Sequence, residues 1–243
     1  MKFMSSIIII FFTFLMSCST DDSATINPDA ENPNPTTSSQ YKYLALGDSY
    51  TIGQSVCETC RFPEQLKDSI LNKIDDSSID LDIIAVTGWT TTNLKTAINA
   101  QNPSDDYDLV TLLIGVNNQY QGKPFSLYEN EFPELLNTAI EKAKGNKERV
   151  VVVSIPDYAY TPFGRTTSNP ERISQELDRY NAFAKEIAEQ EGVTFVNITD
   201  ITREGNSDPS LVASDGLHPS EKAYSRFVET LLPLAIEKIK IEN

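Results

Sequence analysis

The chain has 243 residues, with 35 Asp and Glu against 20 Lys and Arg, for a formal charge of −15 at pH 7. Such an acidic surface repels a phosphate backbone and excludes nucleic acid as a partner. Three cysteines and a single histidine exclude most multi-ligand zinc sites, so no metal is expected. With 40% hydrophobic and 23% charged residues, the composition is that of a soluble globular protein, long enough for one large domain.

At the N-terminus Lys2 precedes a nearly all-apolar run over 7–16 (IIIIFFTFLM). It is too short to cross a bilayer and has the length of a signal-peptide core. Leu15-Met16-Ser17-Cys18 resembles the lipobox of bacterial lipoproteins, although Met16 is a less usual residue at its position. That resemblance implies a signal peptide over 1–17 and a lipid on Cys18. It places the protein in the bacterial cell envelope, on the periplasmic or surface side of the outer membrane, held to the membrane only by that lipid. Residues 18–40 carry three prolines and no aromatic residue. Such a segment buries too little to offset its ordering entropy and reads as a flexible tether. Its acidic pair, Asp21-Asp22, resembles surface-export signals of some Gram-negative lipoproteins.

From residue 41 onward strand-like and helix-like segments alternate. Strands are predicted at 41–47 (YKYLALG), 81–86 (LDIIAV), 107–115 (YDLVTLLIG), 149–155 (RVVVVSI) and 193–198 (VTFVNI). Helices are predicted at 62–74, 91–100 and 127–144, with Pro133 kinking the last of these or lying in its first turn. Ile173, Leu177, Tyr180, Phe183 and Ile187 recur at helical spacing, and a final helix begins near Pro219. Alternation of this kind implies right-handed crossovers and a parallel five-stranded sheet with helices on both faces, a single α/β domain over 41–243.

Ligands in such sheets bind beyond the carboxyl ends of the strands. There stand Gly47-Asp48-Ser49, Thr87-Gly88-Trp89 and Gly115-Val116-Asn117-Asn118, with Asp215-Gly216-Leu217-His218-Pro219 ahead of the last helix. Pro219 suits the first helical position and places His218 in a turn at the helix start. A serine in a tight turn is a weak nucleophile until a base takes its proton. His218 is the only imidazole available, and Asp215 can orient and charge-stabilise it from the same turn. The backbone N–H groups of Ser49 and Gly88 and the Asn117 amide are three donors for a developing oxyanion. No phosphate-binding or dinucleotide-binding glycine pattern is present, and Ser49 lies in Gly-x-Ser-x-Thr rather than the Gly-x-Ser-x-Gly of an α/β-hydrolase elbow.

These blocks, in this order, resemble those of the SGNH hydrolases, also called the GDSL esterase/lipase family, over nearly all of 41–243. The resemblance implies a flavodoxin-like three-layer α/β/α fold and cofactor-free hydrolysis of carboxylic esters through an acyl-serine. It makes Ser49 the nucleophile, His218 the base, Asp215 its acid partner, and Ser49, Gly88 and Asn117 the oxyanion hole. The third block usually continues with Asp, and here position 118 is Asn. Trp89, Tyr158, Tyr160 and Phe163 are expected at the substrate rim, where aromatic faces suit sugar rings or acyl chains. Short esters fit best, with acetylated glycans or lysophospholipids as natural substrates. A lipid-anchored protein that binds glycans without turnover is the alternative. Cys57 and Cys60 are expected to form a small structural disulfide, given an oxidising envelope compartment.

Overall fold

A computed structural model describes residues 39–241; the predicted signal segment (1–17), Cys18 and the tether as far as residue 38 lie outside the described residues. Five parallel strands form one sheet: β1 (Ser39–Gly47), β2 (Ser77–Ala85), β3 (Leu109–Leu113), β4 (Val150–Val153) and β5 (Thr194–Val196). Their order is β2-β1-β3-β4-β5, the flavodoxin-like arrangement. The strands with unbroken apolar runs are central. Tyr43 to Gly47 of β1, all of β3 and all four valines of β4 are buried, as strands covered on both faces must be. Edge strand β2 alternates over 79–83 instead, with Ile79 buried, Leu81 and Ile83 half-buried, and Asp80 and Asp82 exposed. Acidic side chains there discourage pairing with a further strand.

The helices are α1 (Ser49–Ile52), α2 (Phe62–Leu71), α3 (Thr91–Gln101), α4 (Val116–Tyr120), α5 (Phe125–Lys142), α6 (Pro162–Arg165), α7 (Pro170–Glu191), α8 (Thr199–Arg203) and α9 (Glu221–Ile239). The link from β1 to β2 runs one way along the sheet, and the links from β2 to β5 run the other. Right-handed crossovers therefore put α2 on one face and α3, α5 and α7 on the opposite face. The packing agrees: α2 lies against α9, α3 against α5, and α5 against α7. Along α7 the predicted stripe is buried at Ile173, Leu177 and Tyr180 and continued by Ala184 and Ala188, while Phe183 and Ile187 are half-buried. Pro133 lies in the interior of α5, not in its first turn. Among the described residues no helix is long and apolar enough to cross a membrane.

The predicted tether ends earlier than expected, since Ser39 and Gln40 already pair in β1, and two further boundaries differ from expectation for physical reasons. β2 begins at Ser77 because its backbone pairs with β1 from Ser39 onward, a main-chain register that the polar stretch Ser77-Ser78 does not advertise. Helix α9 begins at Glu221, with the Ser220 hydroxyl accepting from the Ala223 N–H, so Pro219 is not its first residue. Pro219 pairs with Val212 in an isolated antiparallel bridge. His218 is thus set in a loop ahead of the helix, closed by the Ala213 N–H donating to the His218 carbonyl at 2.7 Å. Strand order reverses between β1 and β3, and the loops leaving those two strands open the crevice where the site lies.

Candidate active site

At the end of β1 the chain turns so tightly that only glycine fits at 47. A Cβ there would lie 2.1 Å from Thr51 Oγ1 and 2.6 Å from the Leu113 carbonyl oxygen. Asp48 then caps α1, its Oδ1 accepting from the Tyr50 N–H at 3.1 Å. Ser49 is the first residue of that helix, a position whose N–H has no intrahelical acceptor. Asp48 is wholly buried, and burial pushes its carboxyl up to about 7 against the opposing hydrogen bonds from the Tyr50 N–H and the Asn117 amide. Asn117 projects from α4, where its Nδ2 donates to the Trp89 carbonyl at 3.0 Å and reaches Asp48 Oδ2 at 3.5 Å. Gly88 has φ +87°, the left-handed region that favours glycine, and its carbonyl accepts from Gln121 Nε2 at 2.9 Å.

The loop before α9 is organised around one carboxylate. Asp215 Oδ1 accepts from the N–H groups of Leu217 and His218 at 2.9 and 3.0 Å, and Oδ2 lies 2.6 Å from His218 Nδ1. Oδ2 also accepts from the Ser55 hydroxyl at 2.7 Å. Partial burial pushes this carboxyl upward, but the donors from Ser55, the His218 ring and the two backbone N–H groups outweigh it and hold Asp215 well below the usual carboxylate range. The His218 ring is 8% exposed and stands edge-on to Tyr50, with 5.8 Å between ring centroids. With Nδ1 committed to Asp215, Nε2 is the ring atom left for chemistry. Cys57 and Cys60 are joined by a disulfide just after Ser55.

Ser49, Gly88, Asn117 and His218 line one cleft of about 220 Å³. Ser49 and His218 share it without a hydrogen bond between them among the described residues, the looser arrangement common in catalytic sites without substrate. Of the four aromatic rings expected at the rim, Tyr158 and Phe163 line the cleft; Trp89 and Tyr160 do not. Tyr158 and Tyr160 belong to one 3₁₀ turn, in which residues two apart point about 120° from each other. Tyr160 accordingly turns away, towards Arg203. Trp89 packs its ring against the core and offers the site only its carbonyl. Sequence reasoning missed Tyr120, Val116 and Leu217 as cleft residues, and missed Ser55 as a partner of Asp215. Tyr120 follows from Asn117 by helical spacing, whereas Ser55 is 160 positions from Asp215 and no local pattern links them.

The comparisons with known proteins bear on the same residues. The profile of the GDSL-like lipase/acylhydrolase family matches residues 45–226, from the end of β1 into α9. The chain belongs to this family. Solved structures of the same fold include a lipolytic G-D-S-L family protein from Veillonella parvula (18% identity, TM-score 0.61, covering 79% of this chain and 97% of that one). A lipase/acylhydrolase from Enterococcus faecalis matches at 19% identity and TM-score 0.61 over 84% of this chain and 99% of its own. An acetyl xylan esterase variant from Geobacillus stearothermophilus matches at 18% identity and TM-score 0.59, over 84% and 98%. No curated relative matches the sequence. The five-stranded sheet is that of the GDSL, or SGNH, hydrolases.

Against the pattern of this GDSL family, Asn118 is the residue out of place, and its surroundings explain it. The side chain is fully buried. Its Oδ1 accepts from the Thr91 N–H at 3.0 Å, and its Nδ2 donates to Thr91 Oγ1 at 2.7 Å. Thr91 Oγ1 in turn donates to Glu131 Oε2 at 2.5 Å, and the Thr92 hydroxyl serves the same carboxylate at 2.8 Å. Donors therefore run in one direction, from Asn118 through Thr91 to Glu131. A carboxylate at 118 has no donor to begin that chain, so Asn118 and Glu131 form a matched pair that ties α4 to α3 and α5.

Proposed function

We propose that the protein is a serine ester hydrolase in which Ser49, His218 and Asp215 act together. The observation that carries this reading is the placement of the only imidazole in the chain, fixed by Asp215 through Nδ1, in the cleft that holds Ser49 and Asn117. His218 Nε2 takes the Ser49 proton as Oγ bonds to the ester carbonyl carbon. The carbonyl oxygen becomes an oxyanion, met by the N–H groups of Ser49 and Gly88 and by the Asn117 amide N–H that exchanges its long 3.5 Å contact with Asp48 for the oxyanion. As the C–O bond to the alcohol breaks, the imidazolium returns its proton to the leaving oxygen, giving an acyl-serine and a free alcohol. Water, deprotonated by the same ring, then releases the acid and restores Ser49. The Trp89 carbonyl braces Asn117 through its other N–H, and Ser55 braces Asp215.

The cleft is smaller than the about 300–1,000 Å³ of pockets that enclose drug-sized ligands, which favours short acyl groups over long chains. Its wall of Tyr120, Tyr158 and Phe163 suits a sugar ring, in keeping with the acetyl xylan esterase among the structures of this fold. The reading is therefore of an enzyme that removes short acyl groups from glycans. A panel of p-nitrophenyl esters from acetyl to octanoyl tests it. Activity should be highest for acetyl and fall with chain length, and Ser49→Ala should abolish it; a flat or rising profile refutes the preference for short acyl groups. We further propose that a lipid on Cys18 holds the enzyme at the bacterial envelope. Cys18→Ser should then release it from membrane fractions with unchanged specific activity, and a variant that still sediments with membranes contradicts the anchor.

A further inference from the structure

Beyond Tyr120 the cleft continues into a second hollow of about 310 Å³, lined by Gln119, Lys123, Arg172, Glu176 and Arg179. Tyr120 lines both spaces and, at 56% exposed, is one of the few large apolar side chains the surface shows. The charge in the hollow runs against that of the protein. Many cations elsewhere are matched to carboxylates, among them Lys95 to Glu134, Arg149 to Asp108, Arg203 to Asp157 and Arg226 to Glu204. Within the hollow Arg172 is matched to Glu176 at 2.7 Å, and Gln119 Nε2 donates to the same carboxylate at 2.7 Å. Lys123 and Arg179 have no carboxylate within salt-bridge distance among the described residues. The hollow therefore holds two uncompensated positive charges in a chain of formal charge −15.

The arrangement around these charges is ordered. The Arg179 guanidinium lies over the Phe125 ring at 3.7 Å from its centroid, which fixes its plane and leaves its N–H edge for a forked contact. Lys123 is carried by a turn in which its N–H donates to the Asn118 carbonyl at 2.9 Å, one residue from Asn117. Gln119 connects the hollow to the cleft wall, its Oε1 accepting from the Tyr158 hydroxyl at 2.9 Å. At physiological salt the field of distant carboxylates fades over about 8 Å, so the local pair of cations governs what enters.

We propose that this hollow is an anion subsite of the cleft, holding a carboxylate or phosphate that the ester substrate carries away from its reacting carbonyl. The proposal rests on the ester-hydrolase reading. A planar forked guanidinium beside an ammonium suits either oxyanion. A uronic acid in an acetylated glycan is one source of such a group, and the phosphate of a short-chain lysophospholipid is another.

Paired substrates separate these sources. The full chain is assayed on a neutral acetylated oligosaccharide against its uronate-containing counterpart, and on a monoacylglycerol against the same compound bearing a phosphate. In at least one pair the anionic member should have a kcat/KM about tenfold higher at low salt, the amount two partly exposed charge contacts provide. High salt should shrink that preference. Arg179→Gln and Lys123→Gln should each lower the ratio of anionic to neutral kcat/KM, a ratio from which any general loss of activity cancels. Equal rates within both pairs, or a preference that survives in both variants, overturns the subsite. Failure to hydrolyse any ester, p-nitrophenyl acetate included, refutes the hydrolase reading and the subsite with it.

Discussion

Replacing Asn118 with the aspartate more usual in this family should harm the protein, and the structure says by how much and why. In the native chain every polar atom along Asn118, Thr91 and Glu131 has a partner, with Thr91 Oγ1 accepting from Asn118 at 2.7 Å while donating to Glu131 at 2.5 Å. Asn118→Asp sets two acceptors against one hydroxyl at a fully buried position. A buried group left unpaired costs about 1–3 kcal/mol, and more when it is charged, so we expect a loss of about 2–4 kcal/mol at pH 8. Burial raises the pKa of the new carboxyl, so its protonated, donating form persists at low pH. The variant's deficit should therefore shrink as pH falls and grow as pH rises. Glu131→Gln in the same chain reverses the donor direction: the new amide donates to Thr91, Thr91 to the aspartate, and Thr92 to the amide oxygen. Urea unfolding of the wild type, both single variants and the double variant yields the coupling energy. The double variant should recover at least half of the loss. An Asn118→Asp protein within about 0.5 kcal/mol of wild type at pH 8, or additive single effects, refutes the matched-pair account.

Other expectations follow from neighbouring groups. Ser55→Ala removes a donor from Asp215 and should lower kcat about tenfold with little change in KM; Ser55→Asn, which tolerates the φ of +69° and offers an amide donor, should recover part of the loss. Equal rates for Ser55→Ala and wild type would remove Ser55 from its positioning role. Asp48 titrates near 7 when folded against about 3.8 when free, so its contribution to stability is complete below pH 3.8 and is lost as pH rises through 7, by about 4 kcal/mol in all. Asp48→Asn should accordingly flatten the urea-derived stability between pH 4 and 8, and an unchanged slope would contradict the buried carboxyl. Asp215 acts in the opposite sense and in a different window, its contribution being present above its free value and lost as pH falls below it.

Much of this was legible because the central strands and the reacting residues announce themselves locally. The runs Leu44-Ala45-Leu46 and Leu109 to Leu113, short, nearly all apolar and followed by turn residues, read as buried strands, and the chemistry follows directly after them at Ser49 and Asn117. Asp215 and His218 are three residues apart, so their contact is a property of one loop. What the sequence withheld depends on distant segments meeting. Ser77 joins a strand only through Ser39, and Ser55 reaches Asp215 across 160 positions. The direction in which an aromatic ring points was also hidden: Tyr158 and Tyr160 look alike in the chain, and only the 3₁₀ turn separates them. Asn118 departs from the family pattern, and only its contacts in space, with Thr91 and through it Glu131, explain why.

The most direct test of the central claim is to map where a fluorophosphonate attaches to the full-length protein. Peptide mass spectrometry should find the adduct on Ser49, with none in Ser49→Ala. His218→Ala should label and hydrolyse esters slower by a factor on the order of 10⁴ or more, since the two residues act as one unit. Esterase activity that persists in Ser49→Ala, or an adduct on another residue of the active wild-type enzyme, would contradict the mechanism assigned to this site.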